Sequence, residues 1–151
     1  MMLVFAKTNP DVKTPTRSNP SDAGLDVFFY SPDGNPVSID PRTCKLLGTG
    51  VKFEIPHGYM LQVCNRSGIA SKRSLVVGAH IIDSGYSGEV MINLHNIGEK
   101  PQVVNHGDKI AQLVMLPILV PRLAEVSEEQ LYIDPVTVSN RKDGGFGSTG
   151  V

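Results

Sequence analysis

Residues 65–70, Asn-Arg-Ser-Gly-Ile-Ala, combine residue types that can bind a phosphorylated ligand. Because this segment follows a strand pattern and precedes a possible helix, its main-chain amides and the Ser67 hydroxyl could surround a phosphate. The guanidinium of Arg66 would add charge-assisted hydrogen bonds. An ordinary turn with a surface arginine would explain the same residues, so this segment does not decide the function by itself.

Residues 77–89 present one carboxylate at the end of an apolar run. The pattern predicts an apolar strand that ends at Asp83, followed by a glycine-rich hairpin with Tyr86 three residues further on. A carboxylate held at a strand end can act as a general base towards a water molecule. The alternative is that Asp83 caps a turn through its own side chain.

The last residues, 141–151, contain four glycines and no apolar periodicity. Residues 145–150 match the dinucleotide pattern G-x-G-x-x-G, but that pattern works at the start of a helix, and only Val151 follows here. We therefore reject a dinucleotide site. A flexible segment with Arg141 and Phe146 could instead close over a phosphorylated ligand as a lid, and an idle tail is the alternative.

The elements that must position these residues are predicted to be strands. Val51, Phe53 and Ile55 alternate with Lys52 and Glu54, which is the period of a half-buried strand. Similar patterns predict strands over residues 3–6, 25–30, 43–47, 59–64, 90–95, 109–116 and 122–126. Only residues 67–73 and a capping box at Ser127 and Gln130 suggest helix. We expect an all-β barrel or sandwich, with a jelly roll among the candidates.

Composition restricts the class of protein. The chain has 151 residues and a formal net charge of -1, which fits one globular domain and disfavours general nucleic-acid binding. Two cysteines, Cys44 and Cys64, are too few for a disulfide scaffold, so reduced thiols are expected. The N-terminus lacks a signal-peptide pattern, and the apolar stretch 110–120 is too short to span a membrane. We expect a soluble, cytoplasmic protein without a membrane partner.

Five segments together, in order and across nearly the whole chain, resemble the motifs of the trimeric dUTPase family. They are AGLDVFF from Ala23, NRSGIA from Asn65, GAHIIDSGYSGEV from Gly78, GDKIAQLV from Gly107 and RKDGGFGSTG from Arg141. The resemblance implies a jelly-roll-like distorted barrel of short strands, a short helix after the Arg-Ser-Gly motif and a flexible Gly-rich C-terminal tail. It divides the chain into a β-domain, residues 1–140, and a lid, residues 141–151.

The resemblance also implies the reaction, which converts dUTP to dUMP and pyrophosphate. That reaction keeps uracil out of DNA and supplies dUMP for dTMP synthesis. Asp83 matches the residue that activates the water attacking the α-phosphorus, and Tyr86 matches the residue packed on the deoxyribose. Other positions that match substrate-binding residues are Arg66, Ser67, Gly68, Ile81, Ile82, Met91, Gln112, Arg141, Phe146 and Gly147. Among these, main-chain groups of Ile81, Ile82 and Met91 match those that pair with uracil.

Family members use Mg²⁺ and are homotrimers with sites shared between chains. The resemblance therefore implies Mg²⁺ bound to the phosphates, with Asp26 contacting the metal through water. A hard cation with mostly water and phosphate ligands needs only one or two nearby carboxylates. The four histidines, His57, His80, His95 and His106, show no spacing typical of metal ligands.

Four positions depart from the usual family pattern: Leu25, Asn65, His80 and Gly85. The nearest enzymatic alternative is a dCTP deaminase of the same fold, which has a catalytic glutamate where this chain has Asn93. An amide cannot carry the proton that attack at C4 requires. A trimeric binding or regulatory protein is the alternative from another class.

Overall fold

Short antiparallel strands form most of the chain. The computed structural model describes residues 1–133. The strands in this part are β1 (Val4–Lys7), β2 (Leu25–Phe28), β3 (Val37–Ile39), β4 (Cys44–Gly48), β5 (Val51–Glu54), β6 (Tyr59–Cys64), β7 (Leu75–Val77), β8 (Ile81–Ile82), β9 (Met91–Asn96), β10 (Gln102–Val104) and β11 (Lys109–Pro117). One α-helix, α1 (Ser67–Arg73), follows β6. The predicted all-β fold with a short helix is confirmed.

The strands make four small sheets. The largest has the order β2-β11-β6-β8, and a second has the order β4-β9-β7. The other two are the pairs β1-β5 and β3-β10. In the largest sheet, β11 lies between β2 and β6, so that motifs distant in sequence meet on neighbouring strands.

The core comes from the alternation seen in the sequence. In β5, Val51 and Phe53 are buried whereas Lys52 and Glu54 are exposed. Inward side chains of the other strands join them, among them Leu61, Ile92, Leu94 and Leu113. Burial of such side chains contributes about 1.5–3 kcal/mol each, so the apolar faces fix which side of each strand faces solvent.

The chain divides into two compact units, residues 1–120 and residues 121–151. In the second unit, the predicted capping box is confirmed: Ser127 is the N-cap of a 3-10 helix at Glu128–Gln130, and Gln130 is the third residue of that helix. The predicted strand over residues 122–126 is wrong, because the structure assigns no strand there. Strand formation depends on backbone pairing as well as on pattern. The predicted boundary at residues 140 and 141 lies outside the described residues.

The apolar run before Asp83 is not one strand, which corrects the sequence prediction. It is divided into β7 and β8, which belong to different sheets. Gly78, between them, donates its N–H to the carbonyl of Asn93 at 2.8 Å. A Cβ at Gly78 would lie 2.2 Å from the Asn93 Oδ1 atom. The chain can pass this close to β9 only because residue 78 has no side chain.

The turn at residues 31–35 is closed by polar side chains. The Ser31 hydroxyl donates to Oδ1 of Asp33 at 2.6 Å, and Asn35 donates to the same carboxylate. These hydrogen bonds, the one from Ser31 first, lower the pKa of Asp33 from 3.8 to about 2. Because the folded-state pKa is lowered, this stabilisation is present above pH 4 and lost as the pH falls towards about 2.

Asn96 is the buried polar residue that joins β9 to its surroundings. Its side chain donates to the carbonyls of Ile39 and Lys100 at 2.9 and 2.8 Å, and accepts the N–H of Gly98 at 2.9 Å. Its relative exposure is 1%. These three bonds satisfy main-chain groups that water cannot easily reach.

Replacing Asn96 with leucine keeps a side chain branched at Cγ and removes all three bonds. We expect Asn96→Leu to lower the free energy of unfolding by about 2–3 kcal/mol, because buried carbonyls lose their partners. Urea denaturation followed by circular dichroism measures this change. The matched control, Asn105→Ala at an exposed position, should change it by less than about 0.5 kcal/mol. Equal effects of the two substitutions would contradict the role given to Asn96.

Candidate active site

Three of the predicted residues meet at the end of the largest sheet. Asp26 of β2 lies opposite Gln112 of β11, and Gln112 lies opposite Cys64 of β6. Arg66 follows β6 directly and places its Nε atom 2.7 Å from Oδ1 of Asp26. The sheet therefore brings the motifs around residues 26, 66 and 112 into one place.

The Asp26 carboxylate also pairs with a second cation. The Nζ atom of Lys109 lies 2.7 Å from Oδ2 of Asp26, whose side chain is 6% exposed. A buried carboxylate is costly unless it is paired and hydrogen-bonded. Here each of its oxygens has one cationic partner, so the ionised carboxylate is compensated and held in a fixed orientation.

Lys109 was not identified in the sequence as a site residue. Strict alternation along β11 would place Lys109 and Gln112 on opposite faces. A register irregularity between Lys109 and Ala111 changes this: Lys109 lies opposite Phe28 and Gln112 opposite Asp26. Since Asp26 and Phe28 share a face of β2, Lys109 and Gln112 also share it. No sequence signal marks this bulge.

The Gln112 side chain is held on two sides. Its Nε2 atom donates to the carbonyl of Asn65 at 2.8 Å. A Cβ at Gly24 would lie 1.8 Å from the Gln112 Oε1 atom, so that glycine leaves room for the amide. Asn65 also accepts the N–H of Val77 through Oδ1 at 2.8 Å. Asn65, one of the departures from the usual family pattern, thus links the end of β6 and the end of β7 to Gln112 of β11.

A cavity of about 340 Å³ lies against this group of residues. Its lining residues are Ser18, residues 22–24, Asp26, Arg66 and Gln112. The lining is mainly polar, with one guanidinium, one amide and main-chain groups around glycine. We call this cavity, together with Lys109, the Asp26 cluster. Its composition suits an anion together with a hydrated cation.

Ser67 and Gly68 begin helix α1 beside this cluster. Arg66 precedes the helix with extended backbone angles (φ -94°, ψ 126°) and makes no side-chain capping bond. The first N–H groups of a helix have no partner within it. Both residues are exposed, and a Cβ at Gly68 would meet no atom within 4 Å. Packing within the chain therefore does not require glycine at this position.

A second group of predicted residues surrounds a smaller cavity of about 160 Å³. Its lining residues are Ile81, Ile82, Asp83, Tyr86, Val90 and Met91. The exposed fractions of Ile81, Tyr86 and Met91 are 59%, 45% and 37%, so apolar groups face outward around it. The cavity is below the roughly 300 Å³ typical of drug-sized ligands and suits a single ring. We call it the hairpin pocket.

Asp83 carries an exposed carboxylate at the rim of the hairpin pocket. The turn after it is closed by the main chain, with the N–H of Tyr86 donating to the Asp83 carbonyl at 3.0 Å. Among residues 1–133, none donates a hydrogen bond to its side chain. The structure thus gives no support to a turn-capping role for this carboxylate, which remains available to a water molecule or a ligand.

Tyr86 is fixed within the hairpin. Its hydroxyl donates to the carbonyl of Glu89 at 2.7 Å. A Cβ at Gly88 would lie 2.5 Å from that hydroxyl oxygen, so glycine is needed for the ring to fold back. The ring consequently forms one wall of the hairpin pocket.

The two groups lie at opposite ends of β6. Ile82 pairs with Leu61, so Asp83 lies near Met60, whereas Arg66 follows the other end of the strand. Six residues of strand separate these ends, which corresponds to roughly 20 Å. One chain therefore does not bring Asp83 and Arg66 to the same phosphate group.

Three predicted residues, Arg141, Phe146 and Gly147, lie outside the described residues. Within residues 1–133, no group of three or more His, Cys, Asp or Glu side chains could hold a metal ion. No described helix has both the length and the hydropathy needed to cross a lipid bilayer.

A polar cavity that contains a guanidinium group, and a small ring-sized pocket beside an exposed carboxylate, are compatible with a nucleotide-hydrolysing protein. A family model described as dUTPase matches residues 10–150. The deoxyuridine 5′-triphosphate nucleotidohydrolase of Gloeobacter violaceus is 41% identical over 138 residues, covering 90% of this chain and 88% of the relative. That of Clostridium novyi is 37% identical over 153 residues and covers 100% of both. The chain belongs to the dUTPase family.

Solved structures agree with this assignment. The dUTPase from phage phi11 of S. aureus has a TM-score of 0.77 at 29% identity, covering 85% of this chain and 97% of that chain. A mutant Staphylococcus bacteriophage 80alpha dUTPase with dUpNHpp has a TM-score of 0.81 at 29% identity, covering 99% of both. The predicted jelly-roll-like β fold is thereby confirmed.

The ion pair between Lys109 and Asp26 predicts a loss of stability when the ammonium is removed. We expect Lys109→Met to lower the free energy of unfolding by about 1–3 kcal/mol, because a poorly exposed carboxylate loses one charged partner. Urea denaturation at low ionic strength measures the change.

The exposed Lys100 supplies the matched control, and Lys100→Met should leave the free energy of unfolding unchanged. In an Asp26→Asn background the cost of Lys109→Met should shrink, because the charge that the ammonium compensates is gone. An undiminished cost in that background would show that Lys109 acts through packing rather than through Asp26.

Proposed function

We propose that this chain is a dUTP diphosphatase, which hydrolyses dUTP to dUMP and pyrophosphate. The observation that carries the proposal is the exposed Asp83 carboxylate at the rim of the hairpin pocket, which no donor within residues 1–133 contacts, in a chain of the dUTPase family. The cellular role proposed with it is to keep uracil out of DNA and to supply dUMP for dTMP synthesis. Since deoxynucleotides are intracellular compounds, the proposal includes a cytoplasmic location.

In the proposed reaction, Asp83 acts as the general base. Its carboxylate accepts a proton from water while the water oxygen bonds to the α-phosphorus. The bond between that phosphorus and the bridging oxygen breaks, and pyrophosphate leaves with the electron pair. A positioned base of this kind contributes about 10²–10⁴ in rate. The exposure of this carboxylate, with no donor in the part of the chain that the structure describes, supports this role.

Main-chain groups of Ile81, Ile82 and Met91 are proposed to read the uracil. Strand β8 is the edge strand of its sheet and pairs only with β6 there. One row of its N–H and C=O groups therefore faces away from the sheet, as edge strands do. These groups can hydrogen-bond a base, while Tyr86 packs against the deoxyribose and leaves no room for a 2′-hydroxyl.

The phosphates are proposed to bind at the Asp26 cluster. Arg66 would pair with phosphate oxygens, and the Gln112 amide and the N–H groups of Ser67 and Gly68 would add hydrogen bonds. Open space around the Cα atom of Gly68 supports close approach of a phosphate. Arg141, Phe146 and Gly147 would complete the site from the C-terminal tail, with Phe146 over the base and Arg141 at the γ-phosphate.

Mg²⁺ is the proposed cofactor, and the residues present fit it. Both oxygens of Asp26 already have cationic partners, so Asp26 suits a contact through metal-bound water rather than direct ligation. Mg²⁺ keeps several waters and commonly uses one or two carboxylates with substrate phosphates. When bound, it would neutralise charge on the triphosphate. In a mutant dUTPase of phage phi11, a structural Mg(II) ion is coordinated.

A homotrimer with shared active sites is proposed from the separation of the two groups. The roughly 20 Å of main chain along β6 between Asp83 and Arg66 is longer than a triphosphate group, which supports this arrangement. A complete site would then join the hairpin pocket of one copy to the Asp26 cluster of another. Closed rings are formed when one surface meets a different surface of the next copy.

The alternatives are less well supported. A dCTP deaminase needs a proton-shuttling side chain where Asn93 stands, and the Asn93 amide is engaged with Nε2 of His95 at 2.7 Å. A pure nucleotide-binding protein has no need for an exposed carboxylate beside the hairpin pocket. Neither alternative explains the Asp83 environment.

The role of the base is tested by Asp83→Asn, which keeps the side-chain shape and removes the proton acceptor. We expect pyrophosphate release from dUTP to fall by about 10²–10⁴. Binding of dUpNHpp, measured by titration calorimetry, should persist. Asp11→Asn, at an exposed aspartate elsewhere, is the control and should retain full activity. Near-normal turnover by Asp83→Asn would refute the assignment of the base.

Shared sites are tested by mixing two inactive variants, Asp83→Asn and Arg66→Ala. Random reassembly of equal amounts places an intact Asp83 beside an intact Arg66 of another copy in about one site in four. We therefore expect the mixture, unfolded and refolded together, to recover about a quarter of the parent activity. The variants refolded separately supply the baseline. If both residues came from one chain, the mixture would stay inactive.

A further inference from the structure

We infer that Glu89 is a positioning residue that holds Tyr86 in place and so determines discrimination against a 2′-hydroxyl. This inference rests on the proposed function. Glu89 lies at the end of the hairpin, is half-buried and does not itself line the hairpin pocket. Its carboxylate contacts the turn at Gly50, and its main-chain carbonyl contacts Tyr86.

The carboxylate fixes Glu89 to the turn between β4 and β5. Its Oε1 atom accepts the N–H of Gly50 at 2.6 Å. A Cβ at Gly48 would lie 2.6 Å from the same oxygen, so the turn leaves just enough room for the carboxylate. Hydrogen bonds to charged groups contribute more than neutral ones. The carboxylate thus packs closely against the main chain of Gly48 and Gly50.

That turn is itself held rigidly by the core. The Thr49 hydroxyl donates to the carbonyl of Val90 at 2.7 Å, and the N–H of Val90 donates to the carbonyl of Val51 at 2.8 Å. Gly50 has a φ of +68°, and a Cβ there would lie 2.2 Å from a methyl group of the buried Val12. The turn at residues 48–50, which contacts the Glu89 carboxylate, therefore has little freedom to move.

The carbonyl of Glu89 transmits this position to the substrate side. It accepts the hydroxyl of Tyr86 at 2.7 Å. With 45% of its surface exposed, the Tyr86 ring has few other contacts to hold it. A wall that rejects one added hydroxyl must be held to within about 0.5 Å. We infer that the chain of contacts from Gly50 through Glu89 to Tyr86 supplies this precision.

The experiment compares kcat and KM for dUTP and UTP among the full-length parent, Glu89→Ala, Glu89→Gln and Tyr86→Phe. In Glu89→Ala we expect the preference for dUTP over UTP in kcat/KM to fall about tenfold, the loss typical of a charge-assisted hydrogen bond. A larger change in KM than in kcat is expected, because Asp83 is untouched. Glu89→Gln keeps an acceptor oxygen and should stay within about twofold of the parent.

Coupling to Tyr86 is tested by the double variant. Tyr86→Phe alone removes the hydroxyl and should lower the preference for dUTP. Added to Glu89→Ala it should lower it little further, because residues in one hydrogen-bonded network are not additive. Glu99→Ala, an exposed glutamate on the loop after β9, is the matched control and should leave both substrates unaffected. If Glu89→Ala fails to fold, Tyr86→Phe still tests the contact.

The outcomes separate this inference from the proposed function. A parent that does not hydrolyse dUTP would overturn the proposed function itself. A parent that prefers dUTP, with an unchanged preference in Glu89→Ala or Tyr86→Phe, would overturn only the role of Glu89. The same holds if Glu89→Gln loses as much preference as Glu89→Ala, or if the two losses add in full.

Discussion

Strand β6 is hydrogen-bonded to a neighbouring strand on each side, and these pairings position both the Asp26 cluster and the hairpin pocket. Six residue pairs join it to β11, and two join it to β8. The first pairing places Gln112 next to the segment that carries Arg66. The second places Asp83 at the far end of the strand. A shift of either register by one residue would turn the side chains to the other face, so the pairing of β6 determines the position of both groups.

The two carboxylates of the proposed site have opposite surroundings. Asp26 is buried and paired with Arg66 and Lys109, which holds its carboxylate in one orientation. Asp83 is exposed at a hairpin, without a described donor. Desolvation and pairing are the means by which proteins assign different tasks to chemically similar groups. The contrast supports an electrostatic role for Asp26 and a reactive role for Asp83.

Much of the fold could be predicted because hydrophobic alternation reports directly on burial. Strand β6 and helix α1 have the predicted bounds, residues 59–64 and 67–73. The strand predictions fail where backbone hydrogen bonding between strands, rather than the hydrophobic pattern, determines the structure. Residues 122–126 have strand-like composition without being a strand, and the run before Asp83 is interrupted where Gly78 passes close to β9.

The candidate site was predicted unevenly for related reasons. Residue type and spacing indicated Asp83 and Arg66, and the resemblance to the dUTPase motifs added Gln112. The structure places the three residues in two groups. Lys109 was not predicted as a site residue because a β-bulge places its side chain on the face opposite to the one that strict alternation assigns. Glu89 escaped because its contacts are to the main chain of a distant turn, and such contacts leave no mark in residue types.

The proposed recognition of the base by the edge strand β8 affects how freely this region can vary. Strand β8 offers peptide groups, and every amino acid except proline carries the same N–H and C=O. The hydrogen bonds that would select the base therefore do not depend on which side chains stand at positions 81 and 82. The pocket can be reshaped by substitutions at these positions while the hydrogen-bonding pattern presented to the pyrimidine stays constant.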